Sequence, residues 1–307
     1  MRKHNLAIIF LLSFVCLITP IHSALVQSSA IPSQGIVTYN DPGNIPSGFI
    51  LKYSTGFENV FKTSSTHLNM SVDNYLDTAG VGSCMWIEGL DRNTQSFTPH
   101  SGSRSLGLQV NSTISETHRS QLDVYIASLI TTDEYYYKGY YFLPSNWQMN
   151  TSDAAVVAGD YYSIADPFQC FPNFTPQIEI EVHPGRSGNA WNGQYDLDIT
   201  WRGSLPGQSG TWFPQWVHNP NFPWMGLRGR WFPIEWWVKM DSSLTSTPNN
   251  DGAVKIWVDG RLVCDMSGYP ILRQSGEYIT IGKIYYGSMD LTPKKLWVDD
   301  VEIYGKP

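Results

Sequence analysis

Charge is scarce in this chain. Asp, Glu, Lys and Arg make up only 15% of its 307 residues, and the acids outnumber the bases 27 to 20. The bases form no clusters, so the cationic surface that a nucleic-acid binder needs is missing and no nucleic-acid partner is expected. A polyanion would be repelled at long range by the formal charge of −7, so an acidic polysaccharide would have to meet a local basic patch. Long apolar runs are also lacking: the greasy stretch from Leu6 to Ile18 falls short of the ~20 residues that cross a bilayer. No later segment qualifies, and no membrane span is expected. There is no amphipathic helical period and no internal repeat. His-Glu-x-x-His, Cys-x-x-Cys, Gly-x-Ser-x-Gly and phosphate-cradling glycine loops are absent too, which excludes the chemistries they serve.

Cysteine is nearly absent, with four in all. Arg2 and Lys3, the apolar core 6–18 and the Ile21-His22-Ser23 step read as a secretory leader over residues 1–23, which takes Cys16 with it. A secreted, extracellular protein is the expectation. Cys84, Cys170 and Cys264 remain, and an odd number leaves two options open: one disulfide plus a thiol, or three buried thiols. Sequons at Asn69, Asn111, Asn150 and Asn173 would make a glycoprotein in a glycosylating host. Residues 24–48, rich in Pro, Gly, Ser and Asn, read as a linker or N-terminal arm.

What the chain does have is short β runs between turn formers. Examples are 104–110, 119–126, 136–142, 195–201, 236–240, 253–258, 278–285 and 295–304. Strands at this spacing without helices point to an all-β, two-sheet antiparallel sandwich of the jelly-roll type over residues 49–307. Asp251-Gly252 and Asp259-Gly260 carry the hairpin signal.

One run stands out. In Gln177-Ile178-Glu179-Ile180-Glu181-Val182-His183 every second side chain is polar and every other one is apolar. A strand sends these to opposite faces. Gln177, Glu179, Glu181 and His183 then line one surface, suited to the floor of a groove for a polar polymer or to a solvated outer face. Eight of the twelve Trp fall between Trp191 and Trp237. Trp212, Trp216 and Trp224, set among Pro, Gly and Asn, are the candidates for stacking on sugar rings. Trp236, Trp237 and Trp257 lie in strands and read as core.

Several segments together resemble the polysaccharide-lyase branch, heparin-lyase-like and alginate-lyase-like, of the concanavalin A-type lectin/glucanase jelly rolls. Gly56-Phe57-Glu58 is similar to that superfamily's first strand, and the 100–108 segment to its second hairpin. The Leu143-Pro-Ser-x-Trp147 turn, 229–239 with 252–260, and 297–304 resemble its later strands. Arg119-Ser-Gln121-Leu resembles the lyases' Arg-x-Glu-Leu strand, with Gln for Glu. Ile281-Gly-Lys283-Ile-Tyr285 resembles the strand that supplies a Lys and a catalytic Tyr. Gln177 with His183 partly resembles a Gln-Ile-His strand, with His six positions away rather than two. The Gln-x-His step of the heparin-lyase relatives would fall at 157–161, where there is no His.

The resemblance implies β-elimination of a uronate in an acidic polysaccharide. That reaction needs a neutraliser for the carboxylate, a base and an acid. Arg119 and Gln177 would neutralise, His183 would be the base and Tyr285 the acid or both. Gln121, Glu179, Glu181, Lys283 and the three loop Trp would bind substrate. Two other readings stand beside it: a non-catalytic, lectin-like carbohydrate-binding module, and a hydrolase using Glu179 and Glu181 as its carboxylate pair. No cofactor is required. A structural Ca²⁺ held by Glu58 with Asp299 or Asp300, on first and last strands that pair in such sandwiches, is the metal expectation.

Overall fold

The computed structural model describes residues 44–80, 83–88, 98–110, 118–149, 152, 161–170, 177–187, 190–202, 215–243, 249–271, 277–286 and 294–307. Within these, the side chains of 118, 170, 186, 190, 202, 215, 216 and 286 are not described. The chain divides into two units, 1–41 and 42–307. The expected leader, and the expected arm up to residue 43, lie outside the described residues. Asn44, inside the expected arm, already donates to Tyr136 Oη and to Glu235.

Fifteen strands account for most of the described chain: β1 Ile50–Thr55, β2 Asn74–Ala79, β3 Cys84–Glu88, β4 Ser105–Val110, β5 His118–Tyr125, β6 Glu134–Phe142, β7 Tyr162–Cys170, β8 Gln177–Ser187, β9 Ala190–Arg202, β10 Gln215–Phe222, β11 Trp231–Lys239, β12 Gly252–Val258, β13 Arg261–Tyr269, β14 Glu277–Tyr286 and β15 Lys294–Gly305. The only helical element among the described residues is a single 3₁₀ turn, Trp224–Gly226, and no helix there is long and apolar enough to cross a membrane. One sheet runs β13-β12-β11-β6-β15-β4-β3 with β1 paired to β15; the other runs β10-β9-β8-β7-β14-β5-β2. Every pairing is antiparallel. The fold is an all-β two-sheet sandwich.

The core lies between the sheets. Leu106, Leu108, Phe232, Ile234 and Val298 of the first face Leu122, Ile178, Ile180, Val182, Leu197 and Ile284 of the second, all buried. Residues opposite one another across paired strands share a face, so each side chain's face follows from the register. Two irregular strands control what the second sheet shows to the outside. In β14 the register slips between Thr280 and Gly282. The extra residue reverses the alternation, so Tyr278 and Thr280 before it share the outer face with Lys283 and Tyr285 after it. The slipped Ile281 keeps its side chain in the core, and its carbonyl accepts the Tyr141 hydroxyl at 2.8 Å. In β7, slips at 163/165 and 165/168 keep Ser163, Asp166 and Gln169 outward at intervals of three.

The Asp259-Gly260 signal is a two-residue hairpin joining β12 to β13, with φ of 52° and 73° at the two positions, as a type I′ turn requires. Two expectations are corrected. Asp251-Gly252 is no tight hairpin: Gly252 is already in β12, and Asp251 accepts the Ser242 amide and the Lys239 ammonium. Gly56-Phe57-Glu58 is not the first strand. β1 precedes it, and Phe57, at φ 60°, turns its buried ring into the core. Cys264 is a buried free thiol, its pKa pushed up to about 12 by burial.

Gly282 faces the core, where an added Cβ would meet Leu108 Cδ1 and Val298 Cγ2 at 2.8 Å each. We expect Gly282→Ala to destabilise the protein by about 1–3 kcal/mol in urea unfolding. An unchanged midpoint would show that the sheets can part at the bulge.

Candidate functional site

The outer face of the β10–β2 sheet carries Arg119, Gln177, His183 and Tyr285 together with Gln121, Glu179, Glu181 and Lys283. One rung crosses it strand by strand: Ala79, Arg119, Tyr285, Ser163, Glu181, Asp198 and His218 stand opposite one another in sequence. Adjacent members have Cα atoms about 5 Å apart. Alternation in β8 is as expected: Ile178, Ile180 and Val182 are in the core, and Gln177, Glu179, Glu181 and His183 point out.

Two charge networks flank the rung. Below it, the Lys283 ammonium donates to Asp166 (2.9 and 3.0 Å) and to Glu179 (2.6 Å). These side chains are almost sealed, at 6%, 0% and 2% exposed. Burial alone would lower the Lys283 pKa, but the charges of Asp166 and Glu179 hold it above the ordinary lysine value. Burial pushes Asp166 up to about 7, with Lys283 opposing and Glu179 adding to the rise. Beyond the rung on the other side, His183 Nε2 lies 3.1 Å from Glu181 and 3.7 Å from Asp198. Asp198 also accepts from His218 Nδ1 at 2.6 Å.

His183 and Tyr285 are brought together through a residue that sequence reasoning did not choose. Tyr161 has its ring centroid 5.9 Å from His183 and 5.8 Å from Tyr285. It occupies the end of the 157–161 segment where the relatives' His was sought, so a Tyr stands there instead. The Lys283 ammonium lies 5.4 Å over the Tyr285 ring. Arg119, opposite Tyr285, is bound to Asp77 at 2.6 Å while its side chain stays 35% exposed.

Gln177 is not part of this group. It stands on the rung of Gln169 and Tyr278, four residues or ~13 Å along β8 from Glu181, and its amide donates to Asp166 at 3.3 Å. Glu179, 2% exposed, is a counter-ion of Lys283. Gln121 donates to Asp123 at 2.9 Å. Trp224 is fully buried against Phe222 and Phe232, at 5.0 and 6.2 Å, so it is core and not a sugar platform. Trp216 has its backbone opposite Thr200 on this face, its side chain outside the described residues; Trp212 lies outside them altogether.

Glu58, Asp299 and Asp300 gather at the other sheet's end, as acceptors for one turn. Glu58 takes the amides of Ser103 and Arg104; Asp299 takes those of His100 and Ser101; Asp300 takes His100 Nδ1 and the Ser101 hydroxyl. Among the described residues no three His, Cys, Asp or Glu side chains are grouped to hold a metal ion.

A cavity of about 530 Å³ opens beside the rung at β2 and β5, bordered by Arg119, Gln121 and Asp123 together with Tyr75, Tyr125 and Tyr278. None of those tyrosines was singled out from sequence. Each lies in a strand where it reads as ordinary sheet surface.

No family model matches the chain, and no curated protein matches it by sequence. Among solved structures it is similar to an endo-β-1,4-glucuronan lyase from the fungus Trichoderma reesei, at 16% identity and a TM-score of 0.48, over 83% of this chain and 95% of that one. It is also similar to alginate lyase vAL-1 from a Chlorella virus, at 11% and 0.43 over 71% and 90%. A third is LamAcat from Zobellia galactanivorans, at 13% and 0.42 over 83% and 97%. Polysaccharide lyases are thus among the solved structures it resembles.

Two outcomes follow from the charge networks. Lys283→Met strands two buried carboxylates and is expected to cost about 3–5 kcal/mol of stability; equal unfolding midpoints would contradict the network. Burial raises Asp123 from 3.8 to about 6, against the hydrogen bonds from Thr280 and Gln121. The native state therefore holds this proton more tightly than the unfolded chain, so its contribution is full below pH ~4 and is lost as pH rises through ~6. Asp123→Asn should flatten that part of the stability–pH curve, and an unaltered slope would count against it.

Proposed function

We propose that the protein is a secreted polysaccharide lyase that cleaves a uronate-containing chain by β-elimination across the Arg119–Tyr285–His183 group. The observation that carries the reading is which groups reach solvent. The side chains of Arg119 and His183 are 35% and 12% exposed, and Tyr285 is partly exposed. The hydrolytic alternative needs two carboxylates facing a scissile bond at ~5.5 Å. Glu179 and Glu181 are each 2% exposed and engaged, one by Lys283 and one by His183. A nucleophile sealed beneath a lysine ammonium is poorly placed to attack a sugar.

In this reading the Arg119 guanidinium pairs with the uronate carboxylate, lowering the pKa of the proton at C5. His183, oriented by Glu181, takes that proton. The C4–O bond breaks as the C4=C5 double bond forms, and the Tyr285 hydroxyl protonates the departing oxygen. The Tyr161 ring neighbours both, at 5.9 Å from His183 and 5.8 Å from Tyr285. Gln177, on its distant rung, has no part in the chemistry. Export rests on the 1–23 leader.

The test is ultraviolet absorbance of the unsaturated uronate on incubation with glucuronan, alginate or heparin. Tyr285→Phe should lower turnover by a factor on the order of 10²–10⁴ with little change in unfolding midpoint. A fully active Tyr285→Phe enzyme would overturn the assignment.

A further inference from the structure

The cavity at the β2–β5 edge lies outside the reacting group but shares Arg119 with it. Its chemistry differs from that of the rung. Tyr75, Tyr125 and Tyr278 present rings, and Tyr75 is 47% exposed, unusually open for so large a side chain in a strand. The imidazole of His67 lies 6.1 Å from the Tyr75 ring in a T-shaped arrangement. Asp73, Asp77 and Asp123 line the same cavity. The one guanidinium there, Arg119, is already bound to Asp77. The cavity is therefore net acidic, with acceptors set among flat apolar faces.

We propose that this cavity is a binding subsite for an uncharged pyranose adjoining the uronate that is cleaved. This rests on the lyase reading and sharpens it: the substrate would mix uronate with neutral sugar rather than be a uniform polyuronate. A sugar ring offers C–H faces for the tyrosines and hydroxyl donors for carboxylates, and a space of this size suits one or two rings. A ring bearing its own carboxylate, set away from Arg119, would face the carboxylates of this lining. At the Arg119 border the preference reverses, because that guanidinium keeps an exposed edge. The two ends of the site then read different sugars, and the boundary between them falls at Arg119.

The test is calorimetric titration of the full chain with uncleavable neutral disaccharides of glucose, galactose and mannose, and with a glucuronic-acid-bearing disaccharide. Wild type, Tyr75→Ala and Tyr285→Phe are compared. At least one neutral disaccharide should bind saturably, about five- to tenfold more weakly to Tyr75→Ala and unchanged to Tyr285→Phe. Tyr75 is exposed, so its removal leaves the fold intact. Absence of saturable neutral-sugar binding overturns the proposal. So does binding insensitive to Tyr75→Ala, or tighter Tyr75-dependent binding of the uronate disaccharide. None of these outcomes depends on turnover, so the lyase reading and the subsite fail separately.

Discussion

The Lys283 ammonium, buried against Asp166 and Glu179, is the interaction on which the functional face depends. It joins three neighbouring strands, β14, β7 and β8, through side chains with almost no contact with water. Buried charges are tolerable only when paired and well bonded, and removing one partner leaves the others stranded. The network therefore locks the relative positions of these strands on the outer face. Tyr285 and Glu181 sit two residues along from Lys283 and Glu179 on the same strands, so the clamp also sets the rung on which they stand. A carboxylate-rich surface becomes in this way a rigid bed, and the Tyr285 phenol, the His183 imidazole and the Arg119 guanidinium are among the groups left in contact with solvent.

Backbone irregularity makes the clamp possible. A regular β14 would have turned Lys283 and Tyr285 toward the core if Thr280 faced out. The slip at Ile281 reverses the parity, and the Tyr141 hydroxyl from the opposite sheet satisfies the carbonyl at the slip. The slips in β7 bring out Asp166, and the Pro167 carbonyl beyond it is taken by the Tyr135 hydroxyl. Both irregularities are thus held from beneath by tyrosines of β6. Function on one sheet leans on aromatic packing in the other.

Much of the fold was legible because its signals are local. Alternation in 177–183, the short apolar runs and the Asp259-Gly260 turn each follow from the chemistry of a few neighbouring residues. The site was legible only in part. Lys283 and Tyr285 were placed on one face by simple alternation, but whether Gln177 meets His183 depends on strand length, and six residues along β8 separate them too far. Trp224 had the neighbours of a loop residue, yet a 3₁₀ turn folds it under β11. Tyr161 carried no sequence signal beyond standing where a His was missing. The burial of Glu179 and Glu181 is set by partners more than a hundred residues away in one case and two in the other, so composition alone could not separate a catalytic pair from a structural one.

In the proposed mechanism the solvent-accessible phenol, imidazole and guanidinium, not the sealed carboxylates, carry the reaction. Mass spectrometry of products formed from a uronate polymer in oxygen-18 water tests it directly. Elimination breaks the C4–O bond without adding water, so the account predicts unsaturated ends and no label incorporated at the cleaved linkage. Saturated ends carrying one labelled oxygen per cut would mean that water attacks with carboxylate assistance, and would contradict it.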